Sequence, residues 1–168
     1  MQIDPAIAGL IGVGLGSILG PLGSRWLDAK TAAARRQSIS RALAAEITAM
    51  LEVSERRDYA GTYTGWLDHW KAGNSDMPRI SGLETAAEKG DPVFMANLAQ
   101  LGELPADTVA RIVRFYSGAA SLRLDLAGIS AGNFSRNEAI ALVEYDLEYW
   151  ADIKALGGRL ISELTAIK

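Results

Sequence analysis

The sequence predicts an all-α protein: one N-terminal transmembrane helix followed by a cytoplasmic helical bundle of three to four helices. Three observations predict it. An uncharged run of 20 residues, Pro5–Ser24, opens the chain; apolar residues recur at three- and four-residue spacing through most of the remainder; and no stretch reads as a strand. With 168 residues, 49% hydrophobic and 22% charged, the chain has room for one folded domain and an appendage, and its composition excludes a disordered one. The organisation expected is a membrane helix over 1–24, a basic collar and long helix over 25–72, and the rest of the bundle over 73–168.

Charge divides along the same boundaries. Residues 1–24 hold only Asp4. Residues 25–41 hold Arg25, Lys30, Arg35, Arg36 and Arg41 against Asp28, and 42–168 hold 12 basic and 18 acidic side chains. The net charge of -3 argues against a nucleic-acid binder working through a positive field. The absence of cysteine removes disulfides, thiolate nucleophiles and Cys-ligated metals, and a single histidine, His69, leaves no His-rich metal site. No metal or cofactor is expected.

The run PAIAGLIGVGLGSILGPLGS would make a helix of about 30 Å, the thickness of a bilayer's hydrocarbon core. Its four Leu, three Ile and one Val favour insertion, while six glycines and Pro21 oppose it. A cleaved signal peptide would need a basic start, and MQID has none. A dinucleotide-binding glycine loop fails because Ser17 and Leu19 stand where the third glycine is needed, and no GK[ST] follows. A buried helix of a soluble protein is the competing reading, and six glycines make that a poor helix in water.

Spacing gives the glycines a purpose. Ala8, Gly12, Gly16, Gly20 and Ser24 recur every four residues, and Gly9, Gly16 and Gly23 every seven, a glycine-zipper pattern. In lipid, close backbone approach over small residues drives helix association, so this face predicts self-association. Ser17 is the hydroxyl well inside the run and would line a pore. The cations follow the run and none precedes it, which places the C-terminal side in the cytoplasm. Arg25, Trp26, Lys30, Arg35 and Arg36 form the expected interfacial anchor, favouring anionic lipid. Pro21 lacks an amide hydrogen and predicts a bend.

The body reads as helix throughout. Ile39, Leu43, Ile47, Met50 and Leu51 form an apolar stripe on a long helix to about residue 60, with Gly61 and Gly65 expected to end or bend it although Tyr63, Trp66, Leu67 and Trp70 keep helical spacing. After a loop, AGNSDMPRIS, Ser81–Glu84 reads as a capping box. Asp91–Pro92 gives a cap and a first-turn proline, and GELP punctuates at 102–105. Val109, Ile112, Val113, Tyr116, Leu122, Leu126 and Ile129 share one broad face until Gly132–Asn133. Ser135–Glu138 is a second capping box, opening a last helix from about 137 to 167.

Candidate chemistry is sparse. His69 has no arginine at the spacing of helical nucleases, and Glu144, Glu148 and Asp152 at i, i+4, i+8 lack a histidine partner, so pairing with Arg111, Arg114 and Arg123 is the expectation. Tyr145, Tyr149, Trp150, Phe115 and Tyr116 are expected in the core. An enzyme is not expected. The stretch VFMANLAQLGELPADTVARIVRFYSG, with its LGELP turn and following RFY, resembles a segment of small bacterial and phage proteins that carry one N-terminal membrane helix and a helical cytoplasmic part. That resemblance implies architecture and setting, and no activity.

The functional expectation is a homo-oligomeric protein of the bacterial inner membrane, single-pass with its N-terminus outside, forming a channel or pore assembled or gated by its cytoplasmic part. The alternative is a non-catalytic anchor or adaptor whose zipper packs against another membrane subunit and whose acidic body docks a cytoplasmic protein. Its partners are thus itself, anionic lipid and another membrane or cytoplasmic protein, and no nucleic acid.

Overall fold

The computed structural model describes the backbone of residues 5–74 and 91–167, with side chains from Trp26 onward within those ranges. Among the described residues every regular element is helical. Helix α1 runs Pro5–Arg56, α2 Tyr59–Lys71, the short α3 Pro92–Asn97, α4 Ala106–Ser130 and α5 Arg136–Ala166, with a 3-10 turn over Leu98–Glu103 between α3 and α4. The chain divides into two compact units, Met1–Ser38 and Ile39–Ile167.

In the first unit the described side chains begin with an exposed stretch: Trp26 is 65% and Leu27 59% exposed. The Lys30 ammonium lies 5.0 Å from the centre of the Trp26 ring, a cation–π pair between residues one helical turn apart. The zipper residues Ala8, Gly9, Gly12, Gly16, Gly20, Gly23 and Ser24, with Ser17, Pro21 and Arg25, lie outside the described side chains. The capping box at Ser81–Glu84 also lies outside the described residues. Among the described residues, no helix is long and apolar enough to cross a membrane.

The second unit is a helical bundle built around two apolar clusters. In the larger, Ile39, Leu43 and Ile47 of α1 meet Ile112 and Phe115 of α4 and Ile153 and Leu160 of α5. The four-residue spacing of the α1 stripe is what brings its side chains to one face. In the smaller, Tyr63, Leu67 and Trp70 of α2 meet Leu126 and Ile129 of α4 and Val143 of α5. Helices α4 and α5 form the most extensive pairing, and α2 packs on α5.

Local chemistry accounts for most boundaries. Ser135 accepts from the Glu138 amide while the Glu138 carboxylate accepts from the Ser135 amide at 2.8 Å, so the predicted capping box opens α5. Gly132 closes the preceding turn at φ +76, a conformation that costs glycine little. Other expectations need correction. The long helix breaks at Arg57–Asp58, and Gly61 and Gly65 lie inside α2. Asp58 takes a left-handed conformation, φ 45, and its side chain accepts from the Gly61 amide at 3.1 Å, so an Asx-type cap restarts the helix before either glycine. Val113, read as part of the broad apolar face of α4, is 43% exposed, and Tyr145, expected in the core, is 60% exposed. Tyr145 instead stacks on Tyr149, ring centres 5.7 Å apart.

Adjacent glycines in α5 give a prediction of opposite signs. A Cβ on Gly157 would stand 2.7 Å from Phe115 Cε2, and Phe115 is fully buried. A Cβ on Gly158 meets nothing within 4 Å. Gly158→Ala should therefore stabilise the unit by about 0.5–1 kcal/mol through helix propensity. Gly157→Ala should destabilise it by about 1–2 kcal/mol, because overpacking outweighs the same propensity gain. Denaturant melts of both variants decide; equal stabilisation would show that α4 and α5 are not in close apposition at Phe115.

Candidate functional site

Within the second unit, α1 to α5 all line a half-open cavity of about 400 Å³, within the size range of small-molecule sites. Its surface is almost wholly apolar: Met50 and Val53 from α1, Ala119, Leu122 and Leu126 from α4, and Trp150 from α5. Three charged side chains reach it, and each is engaged by the protein itself. The Glu46 carboxylate accepts the Val93 amide at 2.8 Å on one oxygen, and on the other the Phe94 amide at 2.9 Å and the Tyr116 hydroxyl at 2.8 Å. Arg123 donates to both oxygens of Asp91, at 3.0 and 2.7 Å, in a fork that uses both terminal nitrogens. Asp91 is therefore an ion-pair partner, and the cap it was expected to supply is absent: Glu46 binds the first amides of α3 in its place.

Tyr63 of α2 faces the cavity from a site only 7% exposed. Its hydroxyl has no hydrogen-bond partner among the described residues. Burial, and secondarily the nearby Asp146 carboxyl, hold the phenol well above its ordinary range, so it stays a proton donor. Tyr116 is held up in the same direction by burial and then by its bond to Glu46. Asp146 itself, on α5, is 1% exposed with neither carboxyl oxygen hydrogen-bonded. Burial, and then Asp125, push it up to about 7.

Sequence-predicted residues are scattered by comparison. His69 is exposed, with Asn74 Nδ2 3.3 Å from its Nδ1. Glu144, Glu148 and Asp152 share an exposed face of α5, but two of the three arginines expected to pair with them, Arg111 and Arg123, are engaged by Glu163 and Asp91. Glu144 binds Lys71 of α2 at 2.6 Å. Arg111 forks onto Glu163, which also accepts from Thr108 and is held below the usual carboxylate range, first by Arg111. Phe115 and Tyr116 are buried as expected, with Tyr149 and Trp150 packed against the core. Of the collar, Trp26, Lys30 and Arg35 are exposed and Arg36 is half-buried. Among the described residues, no group of three or more acidic or histidine side chains could hold a metal ion.

Sequence reasoning passed over Glu46, Asp91–Arg123, Tyr63 as a polar group, and Asp146. One of these had a signal. Ala139, Val143, Asp146, Trp150 and Ile153 follow a three/four spacing along α5, so Asp146 occupies a core register position. Comparison with models of known protein families, with curated proteins and with solved structures finds no match.

Proposed function

We propose that the chain is a self-associating protein of the bacterial inner membrane, single-pass, with its helical unit in the cytoplasm. The observation that carries this reading is the passage from an uncharged 20-residue run with a four-residue glycine repeat into a basic collar. The exposure of Trp26 and Leu27, with Lys30 over the Trp26 ring, supports it: such a cluster suits a headgroup layer better than open water. Glycine faces packed together would form a ring or cluster, with Ser17 on a weakly selective conducting path. The Ile39–Ile167 unit would supply assembly contacts or receive the signal that opens the path.

The native mass of the full chain in nanodiscs tests this directly. The expected result is a defined homo-oligomer, reduced to monomer by Gly16→Leu, with liposome conductance lost in the same variant. A freely dissolved single chain after detergent-free fractionation sinks the reading. A fixed stoichiometry with a second membrane subunit replaces it with the adaptor.

A further inference from the structure

The cavity of the second unit has a chemistry of its own, independent of where residues 5–24 reside. Two features define what it can hold. First, its charges are already matched: Glu46 is saturated by two amides and a hydroxyl, and Asp91 and Arg123 neutralise one another. An ionic ligand would lose its hydration without meeting a free opposite charge, a cost of several kcal/mol. Second, the lining keeps donors without acceptors: Arg123 Nε is buried with no hydrogen-bond partner among the described residues, and the Tyr63 hydroxyl faces the same space. Tyr63 is more than nine-tenths buried, faces the cavity, and its hydroxyl lacks a hydrogen-bond partner among the described residues. Each of these donors is a place for a ligand oxygen, which the Tyr63 hydroxyl can bind at the cavity surface.

We propose that this cavity is a binding site for a neutral amphiphile, a hydrocarbon body of roughly ten carbons with one hydroxyl or carbonyl oxygen that accepts from Tyr63. The hydrocarbon lies against Met50, Leu122, Leu126 and Trp150, where removal from water drives binding. The oxygen fixes orientation by accepting from the Tyr63 hydroxyl, which stays protonated and keeps its O–H to donate. Exposed Val53 and Ala49 stand at the rim, so entry requires no opening of the core.

Photolabelling of the full chain in nanodiscs, with an alkyl-diazirine analogue of decan-1-ol and peptide mapping, tests the site. The expected result is saturable labelling on peptides carrying Met50, Leu122 and Leu126. Decan-1-ol should compete at about 5–10-fold lower concentration than decane, one hydrogen bond's worth of preference. Tyr63→Phe should erase that preference while hydrocarbon labelling persists. Ala49→Trp, or Val53→Trp should the first not fold, should cut labelling at these peptides at least tenfold. Labelling confined to residues 1–38 overturns the proposal, as does labelling that excess decan-1-ol does not displace. Decanoate or decylamine competing better than decan-1-ol overturns the neutral class. Cross-links joining Val53 of two copies, lost in the tryptophan variant, would assign the face to a second chain instead.

Discussion

Asp146→Asn should make the protein more stable at pH 8 by about 2–4 kcal/mol and leave it nearly unchanged near pH 4. The carboxyl is 1% exposed, neither oxygen has a hydrogen-bond partner, and the titratable groups facing it are Tyr63 of α2 and Asp125 of α4. Neither offers a positive charge. Burial, and then Asp125, push its pKa from 3.8 up to about 7. Because the folded value lies above the unfolded one, the folded chain holds the proton more tightly. Below about pH 4 both states are protonated and the folded state carries no penalty. Between about pH 4 and 7 the unfolded chain ionises first, so stability falls as pH rises, by at most about 1.4 kcal/mol per pH unit. Above pH 7 the folded carboxylate is ionised as well, and the loss is complete. Asparagine keeps the shape and removes the charge, so the variant should lose this slope. For a chain of this size the gain at pH 8 corresponds to about 5–15 °C in Tm. Thermal melts of both proteins from pH 4.5 to 8.5 measure it. A wild-type melting temperature flat across that window would show that Asp146 is hydrated or paired.

The helical class and several boundaries of the second unit were legible because they rest on local rules. The Ser135–Glu138 box and Gly132 act within one turn of chain, and the Ile39–Leu43–Ile47 stripe needs only the helical period. What escaped depends on which elements meet. Asp91 before Pro92 has the form of a cap, yet its carboxylate binds Arg123, 32 residues on, because α4 brings a guanidinium within reach. Glu46 looks like a solvent-facing residue of a polar stripe, and only the packing of α3 and Tyr116 on α1 makes it an acceptor for three donors. Tyr145 and Val113 were misplaced for a related reason. Periodicity gives the centre of a buried face, whereas its width is set by neighbouring helices. The cavity was invisible for the same reason, since its walls come from five helices spread along the sequence.

Glu46→Ala should be among the most destabilising single changes in the second unit, at about 3 kcal/mol. Three donors lose one acceptor. The amides of Val93 and Phe94 lie in the first turn of α3, where no earlier carbonyl of that helix is available to them. The Tyr116 hydroxyl belongs to a residue 2% exposed, so it cannot readily turn to water. Bonds to a charged acceptor contribute about 1.5–3 kcal/mol each, and the three sum to less because they share one carboxylate. Tyr116→Phe removes one donor cleanly and should cost about 1–2 kcal/mol. Its ring still stacks on Phe94, centres 4.1 Å apart, so the apolar contact survives. In the double variant the costs should fall short of additivity by about 1 kcal/mol, the share of the bond that both changes delete. Hydrogen exchange separates this from general weakening of the bundle. In Glu46→Ala the Val93 and Phe94 amides should exchange faster than any shift in global stability explains, because their acceptor is gone while α3 remains docked through Phe94. Unchanged protection of those two amides, with a loss below about 0.5 kcal/mol, would mean that α3 is held to α1 by apolar packing alone. The Asp91–Arg123 fork would then be the principal polar tie of α3 to the bundle, and Arg123→Met rather than Glu46→Ala would release it.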